Sequence, residues 1–193
     1  GLDAMGHAFS ASWEANDDIA FILGSDNAYS LQHQNPKDFY SSVQIFDTHS
    51  GRIIKNLVMP PGFYATQVIP NSDSSKLYLS GLDTDNYSNN HNYARILEYD
   101  VASGSLNFIT DLNESLDGLV NLLVSSDGSA LYALNSSGLY SIDTSTHEVE
   151  LISRLNIKNF APSGRSMEFN SSEDKISIAD YEGANYSYLV GQY

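Results

Sequence analysis

Residues 120–134 read VNLLV SSDGS ALYAL, with an apolar segment on each side of a polar turn. The flanking segments have the length and alternation of β-strands. Asp127-Gly128 between them is typical of a tight hairpin turn, because glycine readily adopts the positive φ that such turns need. This stretch therefore predicts a β-hairpin.

The same hairpin pattern recurs along the chain, at residues 66–80 and 167–179 and, in a more diverged form, at 9–23. A second hairpin follows the copies at 9–23, 66–80 and 120–134. Its turn comes after Asp47, Asp100 and Asp143, respectively. Each unit then has four strands, named a to d. Its length matches the roughly 40–50-residue period of a β-propeller blade.

We therefore expect an all-β fold, a β-propeller of about four four-stranded blades in one domain spanning 8–193. Residues 1–7 are interpreted as a remnant of an expression tag. The last blade is expected to lack strand d, so three arrangements stay open: a piece of a larger propeller, a closed four-bladed ring, or a ring completed by further blades or a second chain. The predicted blades are 8–60, 64–112, 117–155 and 163–193.

Residues 125–146 also resemble a known family. The run SSDGSALYALN, followed by LYSIDTST, is similar to the YVTN-type propeller repeat over residues 118–155 and, less closely, over 65–112. Ser126 stands where that family usually has proline. The resemblance implies a propeller fold and a relation to surface-layer proteins, lactonases or amine dehydrogenase subunits, which differ in function.

Composition excludes several functions. The formal net charge is −15, with only 9 Lys and Arg, so the surface repels nucleic acid and anionic membranes. There are no cysteines, which excludes thiol catalysis and cysteine-based metal sites. No apolar run approaches the roughly 20 residues of a membrane helix, so no membrane insertion is expected. The polar, lysine-poor surface favours an extracytoplasmic location.

Aspartates recur at the turns, and we interpret them as structural because an aspartate can accept hydrogen bonds from turn N–H groups. Candidate ligand-binding residues lie instead on the connections between strands b and c. These connections are long in blades one (24–42) and two (81–93) and short in blade three (135–138). The candidates are Tyr29, His33, Tyr40, Asp83, Asp85, Asn86, Tyr87, His91 and Tyr93.

Long loops on a rigid scaffold often bind ligands, and tyrosine with asparagine and aspartate suits a polar ligand such as a sugar. Plain surface loops are the alternative. Asp83 and Asp85 also imitate the start of a calcium loop, although its glycine and distal glutamate are absent. Calcium is thus a weak candidate and no other cofactor is predicted.

These observations favour a non-catalytic module that binds a protein or glycan through the long b–c loops. The first alternative is a segment or subunit of a propeller enzyme, either a lactonase-like hydrolase or an amine dehydrogenase-like subunit. The second is a structural element of a propeller array.

Overall fold

The computed structural model describes residues 7–13, 18–25, 41–83, 94–112, 120–135, 137–154, 167–179 and 185–190, and these form strands and turns without a helix. The fifteen strands are β1 His7–Trp13, β2 Ile19–Ser25, β3 Ser41–Asp47, β4 Arg52–Val58, β5 Phe63–Pro70, β6 Lys76–Asp83, β7 Ala94–Asp100, β8 Leu106–Leu112, β9 Asn121–Val124, β10 Ala130–Leu134, β11 Gly138–Asp143, β12 Val149–Arg154, β13 Met167–Phe169, β14 Lys175–Ala179 and β15 Asn185–Leu189.

The strands form four antiparallel sheets, which we call blades one to four. Blades one to three are β1–β4, β5–β8 and β9–β12, and blade four is β13–β15. The predicted propeller fold is confirmed, including a last blade that has three strands within the described residues. The inner strands β1, β5, β9 and β13 are successive neighbours. His7 belongs to β1 and pairs with Ser25, so the first strand begins inside the segment interpreted as a tag remnant.

The turn aspartates have the structural role predicted for them. Asp73 and Asp127 accept hydrogen bonds from the backbone N–H groups of Ser75 and Ser129, at 2.9 and 3.0 Å. Asp143 accepts from two turn N–H groups and from the Ser145 hydroxyl, which lowers its pKa to about 2. The equivalent Asp47 and Asp100 accept turn N–H groups in the same way, and hydrogen bonding lowers their pKa values too.

One backbone hydrogen bond repeats in all four blades and joins the residue after strand c to the residue before strand b. In blade three, Thr144 N–H donates to the carbonyl of Ser129 at 3.0 Å. In blade four, Val190 N–H donates to the backbone carbonyl of Asp174 at 2.9 Å. Val190 is therefore the equivalent of Thr144, which identifies β15 as strand c of its blade.

Apolar side chains lie between consecutive blades rather than in one central core. One cluster joins blades one and two, a second joins blades two and three, and a third joins blades three and four. Among the described residues, no apolar cluster joins blade four to blade one. Each described blade thus packs on the next one along the chain.

The a–b turns allow a stability prediction at one position. Gly128 has φ +73°, while its equivalent Ser74 has φ +57° and a buried hydroxyl without a hydrogen-bond partner. Ser74→Gly should raise the free energy of unfolding by about 1 kcal/mol, because a left-handed φ costs a residue with a Cβ roughly that much. Urea unfolding measures the change. The matched control Gly128→Ser should lower the free energy of unfolding by a similar amount. A lower free energy of unfolding for Ser74→Gly would contradict the prediction.

Candidate functional site

The b–c connections leave the blades on one common face, which we call the loop face. The predicted loop bounds were too wide, because strand pairing continues further than the residue types indicated. β2 runs through Ser25, and β6 runs through Asp83, which pairs with Phe63. The remaining connections are residues 26–40 and 84–93.

Of the nine predicted ligand residues, only Asp83 falls within the described part of the chain. It is the last residue of β6 rather than a loop residue, so it marks the point where the blade-two connection leaves the sheet. The other eight lie outside the described residues and stay predictions: Tyr29, His33, Tyr40, Asp85, Asn86, Tyr87, His91 and Tyr93.

A cleft of about 380 Å³ lies between the outer strands of blades two and three. It reaches the loop face, because Leu112, beside the first residue of β7, and Arg154, beside the first residue of β11, both line it. The 84–93 connection therefore rejoins blade two, at Ala94, next to this cleft. The lining residues are Thr110, Asp111, Leu112, Ser137, Tyr140, Val149, Leu151 and Arg154.

The charged groups around the cleft are not equivalent. Asp111 accepts two hydrogen bonds from Arg95, from Nε at 2.9 Å and from Nη2 at 3.0 Å. The Arg95 guanidinium also lies 5.5 Å from the centre of the Phe108 ring. Such a bidentate pair satisfies both charges. Arg154 is exposed, and among the described residues no carboxylate lies within ion-pair distance of it.

The wall of the cleft on blade three is largely apolar. Val149 and Leu151 are 41% and 38% exposed, and Tyr140 is half-buried beside them. Gly138 lets these side chains approach the sheet, since a Cβ there would lie 2.7 Å from Cδ1 of Leu151. An aromatic and aliphatic surface next to hydroxyls and one cation can hold a ligand that is partly apolar and carries negative charge.

A second, wider depression of about 580 Å³ lies on the opposite face of blade one, lined by Asp18, Ile19, Asp47, His49 and Ile54. Its acidic groups have structural partners, since Asp47 accepts from Ser50 N–H and Asp18 lies 3.4 Å from Nδ1 of His49. Within the described residues, no three His, Asp or Glu side chains are grouped closely enough to hold a metal ion. None of the described segments is a helix able to cross a membrane.

Sequence reasoning missed the cleft and its residues Tyr140, Leu151 and Arg154. These three belong to regular strands, so nothing in their local pattern separated them from packing residues. The available signal was the alternation of β12, which places Val149 and Leu151 on one side of an outermost strand.

Comparison with known proteins identifies the fold. No family model and no curated protein matches the chain, so the YVTN resemblance stays a prediction. Among solved structures, hydrazine synthase of Kuenenia stuttgartiensis is similar, with a TM-score of 0.65 and 14% identity over 94% of this chain and 58% of that one.

Two further solved structures resemble the chain over 96% of its length and 55% of their own. One is the β-propeller domain of the Trilobed protease from Pyrococcus furiosus, with a TM-score of 0.58 and 11% identity. The other is the periplasmic gluconolactonase PpgL of Pseudomonas aeruginosa, with a TM-score of 0.54 and 15% identity. The chain spans about half the length of these proteins, and at such identities the likeness shows the β-propeller fold alone.

Proposed function

We propose that this chain is a non-catalytic, extracytoplasmic β-propeller module that binds a ligand on its loop face. The observation that carries the proposal is the cleft between blades two and three. It combines an apolar wall with the exposed Arg154, and it opens where the long 84–93 connection rejoins the sheet at Ala94. No arrangement among the described residues favours the alternative of a propeller enzyme.

The chemistry of the cleft favours a glycan that carries a single carboxylate, because the formal net charge of −15 repels polyanions. Arg154 offers a planar guanidinium, the group best suited to a carboxylate. The ring of Tyr140 offers a face for a sugar ring, and Thr110 and Ser137 offer hydroxyls for its polar edge. A cleft of about 380 Å³ is within the roughly 300–1,000 Å³ usual for small-ligand sites. We therefore propose that a sugar carboxylate, such as that of a uronic acid residue, pairs with Arg154.

Calorimetric titration of oligosaccharides that carry one uronic acid residue, with neutral oligosaccharides of equal length as a comparison, tests the proposal. Arg154→Ala should weaken binding of the acidic series by about ten- to hundredfold, because a lost charge-assisted hydrogen bond is worth roughly 1.5–3 kcal/mol. The matched control is Arg52→Ala, which removes an exposed arginine on the opposite face of blade one and should leave affinity unchanged.

Two results would overturn the assignment. Equal affinity of Arg154→Ala and the parent protein would remove the cleft from the site. Failure of both oligosaccharide series to bind, with binding of a peptide library instead, would replace the glycan by a protein partner. Variants at Tyr40, Tyr87 and Tyr93 then test the long connections in the same titration, and unchanged binding in all three would place the ligand elsewhere.

A further inference from the structure

The ion pair that borders the cleft is a feature of blade two and not of the repeat. Arg95 and Asp111 face each other across β7 and β8, and Arg95 lies five residues before Asp100. The cross-strand pairs at the equivalent positions are Ser42 with Val58 in blade one and Gly138 with Arg154 in blade three. The blade architecture therefore does not require an ion pair here.

The geometry of the pair holds both charges in place. Nε of Arg95 donates to Oδ1 of Asp111 at 2.9 Å, and Nη2 donates to Oδ2 at 3.0 Å. The guanidinium lies 5.5 Å from the centre of the Phe108 ring, and each side chain of the pair is only 28% exposed. A bidentate pair beside an aromatic ring has one strongly preferred arrangement. The carboxylate of Asp111 is therefore compensated at the point where it lines the cleft.

The charge of the cleft depends on this compensation. The described lining residues include one carboxylate, Asp111 on blade two, and one cation, Arg154 on blade three. Glu150 alternates with the lining residues of β12, so it points to the other side of that strand. Asp111 and Arg154 alone would cancel. With Arg95, the three groups carry one net positive charge.

We propose that the Arg95–Asp111 pair determines how much negative charge the cleft accepts. One ligand carboxylate pairs with Arg154, while a second one meets Asp111, whose carboxylate already occupies the guanidinium of Arg95. Such a repulsive group against the wrong ligand is a common source of specificity. The cleft therefore selects ligands with one negative charge over neutral or doubly charged ones. This selectivity rests on the proposed function, because it takes the cleft as the binding site.

A thiol placed in the cleft measures its charge without any ligand. The chain has no cysteine of its own, and Ser137 lines the cleft from blade three, opposite Asp111. A positive charge nearby favours the thiolate and lowers the pKa of a thiol, whereas a negative charge raises it. The rate at which iodoacetamide alkylates Ser137→Cys at a fixed pH near 7.5 therefore reports the local charge.

Two substitutions in the Ser137→Cys protein should change this rate in opposite directions. Arg95→Met keeps an apolar side chain beside Phe108 but removes the positive charge, so alkylation should slow about threefold. Asp111→Asn should accelerate it about threefold, and the double variant should return to the rate of Ser137→Cys alone. The matched control is Arg52→Met, which removes an arginine on the opposite face of blade one and should leave the rate unchanged.

Calorimetric titration then measures the selectivity with oligosaccharides of equal length that carry none, one or two uronic acid residues. Arg95→Met should weaken binding of the singly charged probe about tenfold and leave the neutral probe unchanged. Asp111→Asn should strengthen binding of the doubly charged probe about tenfold. The double variant should bind the singly charged probe within about threefold of the parent protein. A purely structural pair would instead change all three affinities together.

The results separate this proposal from the proposed function. If none of the three probes binds the parent protein, the glycan function fails, and the alkylation rates still decide whether the pair sets the charge of the cleft. If Arg154→Ala abolishes binding while Arg95→Met and Asp111→Asn bind all probes like the parent protein, the function stands and the role of the pair is overturned. Alkylation rates that are equal in both single variants would overturn it as well.

Discussion

Replacing Tyr78 by alanine is expected to lower the free energy of unfolding by about 3–5 kcal/mol, the usual cost of removing a large buried ring. Tyr78 is only 1% exposed and, among the described residues, is the largest fully buried side chain. It lies in the cluster that joins blades two and three, beside Leu131 and Ile142. Burial raises the pKa of its phenol, so the group stays neutral in the folded protein. The decrease in the free energy of unfolding of Tyr78→Ala therefore measures apolar packing between blades.

The matched control for this prediction is Tyr78→Phe, which keeps the ring and removes only the hydroxyl. It should change stability by about 1 kcal/mol or less. Urea unfolding followed by far-ultraviolet circular dichroism measures both variants against the parent protein. If Tyr78→Ala cost no more than Tyr78→Phe, packing between blades would not be the main source of stability, and the stacked-blade description would have to be revised.

Gly81→Ala is expected to lower stability by about 3 kcal/mol or to prevent folding, because overpacking against backbone atoms cannot be relieved by moving a side chain. A Cβ on Gly81 would lie 2.3 Å from the carbonyl oxygen of Tyr64 and 2.7 Å from Cα of Ala65. The two strands approach closely here because the pairing of β5 with β6 shifts between Ala65 and Gln67. The absence of a side chain at Gly81 is therefore a requirement of this bulge.

Gly51→Ala provides the comparison for Gly81→Ala. A Cβ at Gly51 would have nothing within 4 Å, so this change adds no contact and only strains a residue with φ +65°. We expect a loss of about 1 kcal/mol. The two losses of stability should therefore differ. Gly51 is required for its positive φ, whereas Gly81 is required because two strands approach closely there. Equal losses in the same urea titration would remove the steric explanation for Gly81.

The repeat and its turns could be predicted because they depend on neighbouring residues. Asp127-Gly128 and the aspartates that precede the c–d turns act within three residues of themselves, so their role follows from local hydrogen bonding. Strand ends were predicted less well at Asp83, because pairing with Phe63 on another strand extends β6 beyond its local pattern. The proposed ligand residues of the long connections stay predictions.

By itself, the sequence determined that the chain forms four similar β-sheet units and that aspartates close their turns. Only the tertiary structure decided which side of each sheet faces which neighbour. Alternation separates two faces of a strand but does not say which one packs on the next blade, so only the packing shows that Tyr78 and Tyr132 point towards the following blade. The same applies to the cleft at Tyr140 and Arg154, because its two walls belong to different blades and meet only after folding.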